Sequence, residues 1–357
     1  MRDCVKLTAY FGERQRSGGR FLAEAMLDLH EQRGVAVSAV LRGIGGFGSR
    51  HRLRSDQSLS LSEDPPVAVV AVDAQATVEA MLDPLRVMSE RALMTLERVR
   101  LVDAAIASSE LDEHLHEAVK LTVYLGRTER INGTPGYRAL CDLLHRSGFD
   151  GASAFLGVDG VIHGRRERAR FFGPNSDVPV MIVAVGGAAL VSAVLPELVG
   201  SLRRPLVSIE RVQVCKRAGV LVGPPRAVVG TDEHGLALWQ KLTVHSSEAD
   251  RHRGVPIHRA LIERLRQHRS LAGATVLRGI YGFNGGAAPR GDRLLALSRR
   301  VPVATVIIGS PRHVGETFAV VDELTSDAAL VTSEVVPALV VVHGDQRHGG
   351  MRLARYR

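Results

Sequence analysis

The sequence is poor in the residues that build redox, metal and base-stacking sites. It has three cysteines, one tryptophan and an aromatic content of only 4% in 357 residues. Cys4, Cys141 and Cys215 stand far apart, with no CxxC pair and no even set for a disulfide framework, so we expect reduced thiols and no metal site. The scarcity of aromatic residues also disfavours base stacking, and we expect no specific nucleic-acid partner.

Catalytic and membrane-spanning patterns are missing as well. The sequence has no GxSxG or HExxH motif and no cysteine with a convincing histidine partner. This predicts a non-enzymatic protein, without catalytic residues or a required cofactor. No apolar run reaches the roughly 18 residues of a membrane span, and the N-terminus begins directly with an alternating pattern instead of a signal peptide. We therefore expect a soluble, cytoplasmic protein.

Positive charge is present in excess, and arginine supplies almost all of it. Only four of the 46 basic side chains, Lys plus Arg, are lysine, and the formal net charge is +8. A basic protein suits anionic ligands or an acidic partner surface, although GC-rich coding also produces an arginine bias. The hydrophobic fraction of 45% is typical of globular proteins, and a chain of this length accommodates two or three domains.

Four sequence landmarks recur three times in one order, which identifies three tandem copies of a module of roughly a hundred residues. The first landmark is an alternating segment that contains Lys6, Lys120 or Lys241. A glycine segment, a proline-led apolar segment and a closing segment follow it. The glycine segments are 41–48, 155–162 and 277–284, the proline-led segments begin at Pro66, Pro179 and Pro302, and the closing segments are 96–99, 209–212 and 333–336.

The boundaries of the copies follow from these landmarks and from the breakers between them. The second connection contains Gly223-Pro224-Pro225, which interrupts both helix and strand. The end of the chain has several arginines and little apolar content, which predicts a flexible basic tail. We therefore predict modules at 1–103, 118–215 and 238–342, linkers at 104–117 and 216–237, and the tail at 343–357.

Periodicity within each copy predicts the order β-α-β-β-α-β. The apolar residues Leu22, Met26 and Leu29 recur at helical spacing, whereas the opening segments alternate as strands do. This order is the ferredoxin-like α+β arrangement, an antiparallel sheet with both helices on one face. The proline-led strands are apolar at nearly every position, so both faces should be buried. We expect the three copies to cover one another's sheets as a single-chain pseudo-trimer.

The segments KLTAYFGE, LRGIGGFG, LSEDPPVAVVAVD and TLERVRLV resemble the PII-like family known as domain of unknown function 190, repeated three times. The second copy departs most, because Leu156 and Val161 replace the arginine and the phenylalanine of the glycine segment. The resemblance implies a module related to the PII nitrogen-signalling trimers, which bind adenine nucleotides between subunits and regulate transporters and enzymes. It thus implies a small anionic ligand, with an adenine nucleotide as the candidate, and a membrane transporter or channel as partner.

The glycine segments of the first and third copies carry one group of candidate ligand-binding residues. Their glycines let backbone N–H groups approach an anion, and the arginine offers a fork that suits phosphate. No Gly-Lys-Ser/Thr follows and no helix opens there, so neither a Walker loop nor a Rossmann site is predicted. A bulge or tight bend explains the glycines equally well. The candidates are Arg42, Gly43, Gly45, Gly46, Phe47 and Gly48, with Arg278, Gly279, Gly282 and Phe283.

Arginines near the closing segments form the second candidate group, although a solvated charged edge also explains them. They are Arg98, Arg100, Arg203, Arg204 and Arg211. If each glycine segment faces the next copy along the chain, the first segment meets the arginines of copy 2 and the third meets those of copy 1. This direction predicts two anion-binding clefts and one that has been lost.

The sequence leaves two other function classes open besides a PII-like regulator. One is a nucleic-acid-binding ferredoxin-like protein, which the net charge favours, and the other is a purely scaffolding protein with empty clefts. The basic stretches 50–54 and 165–170 follow the glycine segments and read most simply as solvated loops. They also occupy the position of the partner-contacting loop in PII proteins, so an acidic partner surface is a further expectation.

Overall fold

The computed structural model describes residues 1–55, 64–102, 118–168, 178–268, 271–291, 300–325, 329–343 and 346–356. In these residues the chain is an α+β protein, as predicted. It has six helices, one large curled antiparallel sheet and three small two-stranded hairpins. No helix among the described residues has the length and apolar character needed to cross a membrane.

The first copy places its two helices where the order β-α-β-β-α-β predicts them. Leu22, Met26 and Leu29 of the first helix are buried, as the helical spacing indicates. The elements are β1 (Arg2–Gly12), β2 (Arg16–Ser17), β3 (Arg20–Phe21), α1 (Leu22–Gln32), β4 (Val37–Phe47), β5 (Arg54–Ser55), β6 (Pro66–Asp73), α2 (Gln75–Met88) and β7 (Arg91–Val102).

The second copy repeats this order and adds two strands after its closing strand. Its elements are β8 (Ala118–Gly126), β9 (Arg130–Ile131), β10 (Thr134–Pro135), α3 (Gly136–Arg146), β11 (Gly151–Leu156), β12 (Asp159–Ile162), β13 (Arg165–Arg168), β14 (Pro179–Gly187), α4 (Ala188–Ser201), β15 (Leu206–Arg211), β16 (Gln213–Arg217) and β17 (Val220–Leu221).

The third copy has the same order and also ends in two added strands. Its elements are β18 (Trp239–Ser247), β19 (Arg251–His252), β20 (Val255–Pro256), α5 (Ile257–Arg266), β21 (Gly273–Arg278), β22 (Tyr281–Asn284), β23 (Arg290–Gly291), β24 (Pro302–Gly309), α6 (Pro311–Leu324), β25 (Leu330–Val336), β26 (Ala338–His343) and β27 (Gln346–Gly350).

Four long strands of each copy lie side by side with the first strand near the middle. In the first copy the order is β4-β6-β1-β7, and the other copies repeat it as β11-β14-β8-β15 and β21-β24-β18-β25. Alternation along β1 sends Val5, Leu7 and Ala9 into the core that contains the helices. The opposite face of the sheet is buried too. Both faces of the proline-led strands are therefore shielded from water, which explains why these strands carry so few polar residues.

Strands also pair between copies, and each copy pairs with both of the others. On one side, β4 pairs with β21, β12 with β4, and β22 with β11. On the closing side, β7 pairs with β15, β16 with β25, and β26 with β7. The three copies are therefore joined in a closed cycle of main-chain hydrogen bonds.

The predicted direction of this cycle is wrong. The first glycine segment lies against copy 3, the second against copy 1 and the third against copy 2. The prediction relied on matching glycine segments to closing-strand arginines. Those two groups lie on different strands that pair with different neighbours, so their charges do not determine the order.

The C-terminal segment is also more ordered than its composition suggests. Strand β27 pairs with β26, the side chain of Ala354 is fully buried, and Met351 and Leu353 pack against the core of the first copy. Strand pairing satisfies the backbone polar groups, and these few apolar residues supply the anchoring contacts. The predicted first linker, 104–117, lies outside the described residues.

One glycine at the same position of each glycine segment lies where strands of neighbouring copies approach too closely for a side chain. A Cβ atom on Gly46 would lie 2.4 Å from the carbonyl oxygen of Ala274. The same atom on Gly282 would lie 2.1 Å from that of Ala152, and Gly160 repeats the contact in the second copy. These glycines are therefore required by the packing between copies.

Replacing Gly46 with alanine should lower the free energy of unfolding by about 1–3 kcal/mol, because the new methyl group forces two strands apart. Gly48→Ala is the matched control, since a Cβ atom there meets nothing within 4 Å. It should change stability by less than about 0.5 kcal/mol. Chemical denaturation of both variants measures the difference, and equal losses would contradict the interpretation.

Candidate functional site

A closed ring of six charged side chains lies in the interior, where the first and closing strands of all three copies meet. Each copy supplies one lysine from its first strand and one glutamate directly opposite on its closing strand. The six residues are Lys6, Lys120, Lys241, Glu97, Glu210 and Glu334. All six are between 3% and 8% exposed, so we call them the buried ring.

Each ammonium group of the buried ring bridges the glutamate of its own copy and one glutamate of another copy. Lys6 Nζ lies 2.7 Å from Glu97 and also contacts Glu210. Lys241 Nζ lies 3.1 Å from Glu334 and 2.5 Å from Glu97. Lys120 completes the cycle between Glu210 and Glu334. Charges of opposite sign therefore alternate around the whole ring.

Electrostatics hold two glutamates of this ring, Glu334 and Glu97, in their charged form. Burial alone would raise the pKa of Glu334, but the attraction of Lys120 and Lys241 outweighs it and lowers the pKa to about 2. Glu97 shows the same balance, and its pKa also lies well below the ordinary value. Oxygens of the three glutamates lie within 4.8 Å of one another, a spacing that a metal ion could bridge, but three ammonium groups already balance the three carboxylates.

The choice of lysine at these positions is informative, because the chain otherwise uses arginine. Only four of its 46 basic side chains, Lys plus Arg, are lysine, and three of those four form the ring. A compact ammonium on a flexible stem can donate to two carboxylates at once, whereas a guanidinium is a wide planar fork. The fourth, Lys216, is also buried and donates to carbonyl oxygens at the end of α6.

A chamber of about 1060 Å³ lies next to the ring, whose glutamates form part of its wall. Three of the predicted arginines line it, namely Arg98, Arg100 and Arg211. The C-terminal segment closes part of it, because Arg98 donates to the carbonyl oxygen of Ala354 at 2.8 Å and lies over the ring of Tyr356. These arginines are therefore gathered together, but away from the glycine segments.

The other predicted site residues are dispersed. Arg203 and Arg204 follow α4 on the surface, and line neither this chamber nor the cleft described below. Arg42 pairs with Glu13 at 3.0 Å, and Arg278 pairs with Glu248 at 2.8 Å. Neither arginine is among the described residues that line the two cavities beside these glycine segments.

The two phenylalanines of the glycine segments serve as anchors between copies. Phe47 is 3% exposed and packs in the hydrophobic core of the third copy, and Phe283 is 4% exposed and packs in that of the second. The first and third glycine segments thus each insert a phenylalanine ring into the neighbouring copy, and most of that ring is unavailable to a ligand. Gly43 and Gly279 also lie close to the backbone of a neighbouring copy. A Cβ atom on Gly43 would lie 2.9 Å from the carbonyl oxygen of Val276, and one on Gly279 would lie 3.0 Å from that of Ala154.

A basic cleft of about 440 Å³ lies between the first and third copies, and we call it the 1/3 cleft. The loop after the first glycine segment supplies Arg50, Arg52 and Arg54, β7 supplies Arg91, and β26 of the third copy supplies His343. Asp64 is the one acidic residue that lines it within the described part of the chain, and it pairs with Arg54 at 2.9 Å.

Only part of the 1/3 cleft is visible in the sequence. The arginines of 50–54 were visible as a basic loop, but nothing in the sequence pointed to Arg91 or His343. Strand pairing between copies brings these two residues directly opposite each other. Burial and the neighbouring Arg50 and Arg91 lower the pKa of His343, which favours the neutral imidazole in a cleft that is already positive.

The fold and its cavities define an α+β repeat protein with ligand-sized cavities between its copies. A family model for DUF190, described as "Uncharacterized ACR", matches residues 4–101, 118–214 and 239–338. The chain belongs to the DUF190 family and contains three tandem copies of its domain, as the sequence resemblance predicted.

Replacing Glu97 with glutamine should be strongly destabilising, because Lys6 and Lys241 would then lose a buried counter-charge. Breaking a buried ion pair on one side typically costs about 3–5 kcal/mol. Glu316→Gln is the control, because Glu316 pairs with Arg312 on the exposed face of α6 and should change stability very little. Urea denaturation compares the two, and a neutral Glu97→Gln variant would show that the ring contributes nothing to stability.

Proposed function

We propose that this chain is a non-enzymatic, PII-like regulatory protein, built as a single-chain pseudo-trimer of ferredoxin-like modules, which binds a small anionic ligand between copies. The architecture rests on two features. The strand order β4-β6-β1-β7, repeated in each copy, is that of a ferredoxin-like sheet. The cyclic pairing of copies and the buried ring give each copy equivalent neighbours, as a trimer would.

The observation that carries the ligand proposal is the charge of the 1/3 cleft. Four arginines and one aspartate line it in the described residues. Arginine forks bind phosphate and carboxylate groups through paired hydrogen bonds. The cleft is concave and partly walled by apolar residues such as Val306 and Ile308, which is typical of small-molecule sites. An adenine nucleotide is the first ligand to test, because the family resemblance implies it.

Regulation of a partner would use the loop that carries Arg50, Arg52 and Arg54. This loop forms one wall of the 1/3 cleft, so a bound anion would fix side chains that otherwise face solvent. A partner with an acidic surface, such as the exposed part of a membrane transporter, would then meet a less basic and more rigid loop. Ligand binding and partner binding would thereby be coupled.

A nucleotide that binds the folded protein should raise its melting temperature. At a nucleotide concentration of a hundred times the dissociation constant, the free energy of unfolding should rise by about 2.7 kcal/mol. The test is a thermal melt with ATP, ADP, AMP and cyclic nucleotides, repeated with the double variant Arg52→Ala/Arg91→Ala. The double variant should lose the shift, whereas Arg312→Ala on α6 should keep it.

A flat response of the unmodified protein to every nucleotide and to inorganic phosphate would contradict the proposal. Tight, salt-dependent binding of a random oligonucleotide would instead favour the nucleic-acid alternative.

A further inference from the structure

The three copies form three equivalent positions where the loop after a glycine segment faces a neighbouring copy. We name them by the copy that supplies the segment and the copy it faces, which gives the 1/3, 3/2 and 2/1 clefts. Residues correspond between the first and third copies because Gly46 pairs with Arg54 as Gly282 pairs with Arg290. The two loops have equal length, so they can be compared residue by residue.

Two arginines of the 1/3 cleft have no acidic partner among the described residues. Arg54 pairs with Asp64, and Arg50 contacts His343 of the third copy. Among the described residues, Arg52 and Arg91 form no salt bridge. Arg91 lies directly across the strand pair from His343, and both arginines are exposed to solvent. Within the described part of the chain, the cleft therefore presents two guanidinium groups without a counter-charge to any anion that enters.

The 3/2 cleft has a similar volume, about 460 Å³, but its described lining carries fewer charged residues. Gly286 and Ala288 occupy the positions of Arg50 and Arg52, and the neighbouring copy contributes Ala218 at the end of its added strand. Arg290 and Arg300 remain, and Asp250 opposes them. The described lining thus carries two arginines and one aspartate, against four and one in the 1/3 cleft.

The 2/1 cleft is occupied by the protein's own side chains. Arg166, in the strand after the second glycine segment, donates to both carboxylate oxygens of Asp159, at 3.1 and 2.6 Å. A further nitrogen of the same guanidinium contacts Asp28 on α1 of the first copy. The Arg166 side chain is only 13% exposed. Two carboxylates therefore already satisfy the arginine that a ligand would need.

We infer that the chain keeps one phosphate-type anion site, the 1/3 cleft, and binds one phosphate-bearing ligand per chain. This inference rests on the proposed function and limits it to one of the three clefts. Arg52 and Arg91 would hold the phosphate, with Arg50 and His343 beside it. A protonated His343 would add a donor, and a neutral one still leaves the arginines to bind the anion.

A small ligand fits the observations better than an acidic protein segment. The charges line a cavity between two copies, and its inner wall consists of Gly273, Ala274 and Thr275 of β21. A phosphate and one or two attached groups fill a space of this volume, whereas a protein surface would contact mainly the exposed loop. Binding confined to the loop would be an outcome that contradicts the inference.

Isothermal titration of the full chain with ATP, tripolyphosphate and inorganic phosphate tests the inference. We expect a stoichiometry of one for each compound that binds, and weaker binding at higher salt. Arg52→Ala/Arg91→Ala should reduce affinity at least tenfold. Arg290→Ala/Arg300→Ala, the charge-matched control in the 3/2 cleft, should leave affinity and stoichiometry unchanged. The substituted side chains are exposed, and thermal melts of each variant verify folding.

The possible outcomes separate the two levels of the argument. A stoichiometry of two or three, or equal losses in the two double variants, would overturn the single-site inference and leave the proposed function standing. No binding of any of the three compounds at millimolar concentration would overturn both. Tight binding of inorganic phosphate alone, with no gain for ATP, would support the anion site and identify the phosphate group as what is recognised.

Discussion

The buried ring of three lysines and three glutamates is the constraint on which the rest of the structure depends. Isolated charges at this depth would be very unfavourable, and the ring residues make all of their ion pairs only when all three copies are in place. Hydrophobic strands could pack in several registers, but a ring of alternating charges fits one arrangement. We attribute to the ring a role in specifying that arrangement, in addition to any net stabilisation.

Close contact between copies then determines where cavities remain. The glycines let the strands meet, the phenylalanines anchor the first and third segments in their neighbours, and the loops that follow lie at the junctions. Equivalent loops in a true trimer would be identical, but a single chain allows each to change on its own. The first loop has arginines that line a cleft. In the second loop Arg166 pairs with Asp159 and with Asp28 of the first copy, and the third loop has glycine and alanine where the first has arginine.

The repeat, the helices and the family were predictable from local patterns, because the landmarks and the periodicity depend only on residues within one copy. Lys6 and Glu97 were visible as recurring residues, but alternation tells which face a residue occupies and not which residue it meets. The pairing of Lys6 with Glu210 and the meeting of Arg91 with His343 depend on contacts between copies. The direction of the cycle was wrong for the same reason, since similar strands flank every copy.

Differential scanning calorimetry of the intact chain tests the central claim, that the ring and the cyclic pairing make the three copies one cooperative unit. The account predicts a single transition in which the calorimetric and van't Hoff enthalpies agree. Separate transitions, or a calorimetric enthalpy two to three times the van't Hoff value, would show that the copies unfold independently and would contradict it.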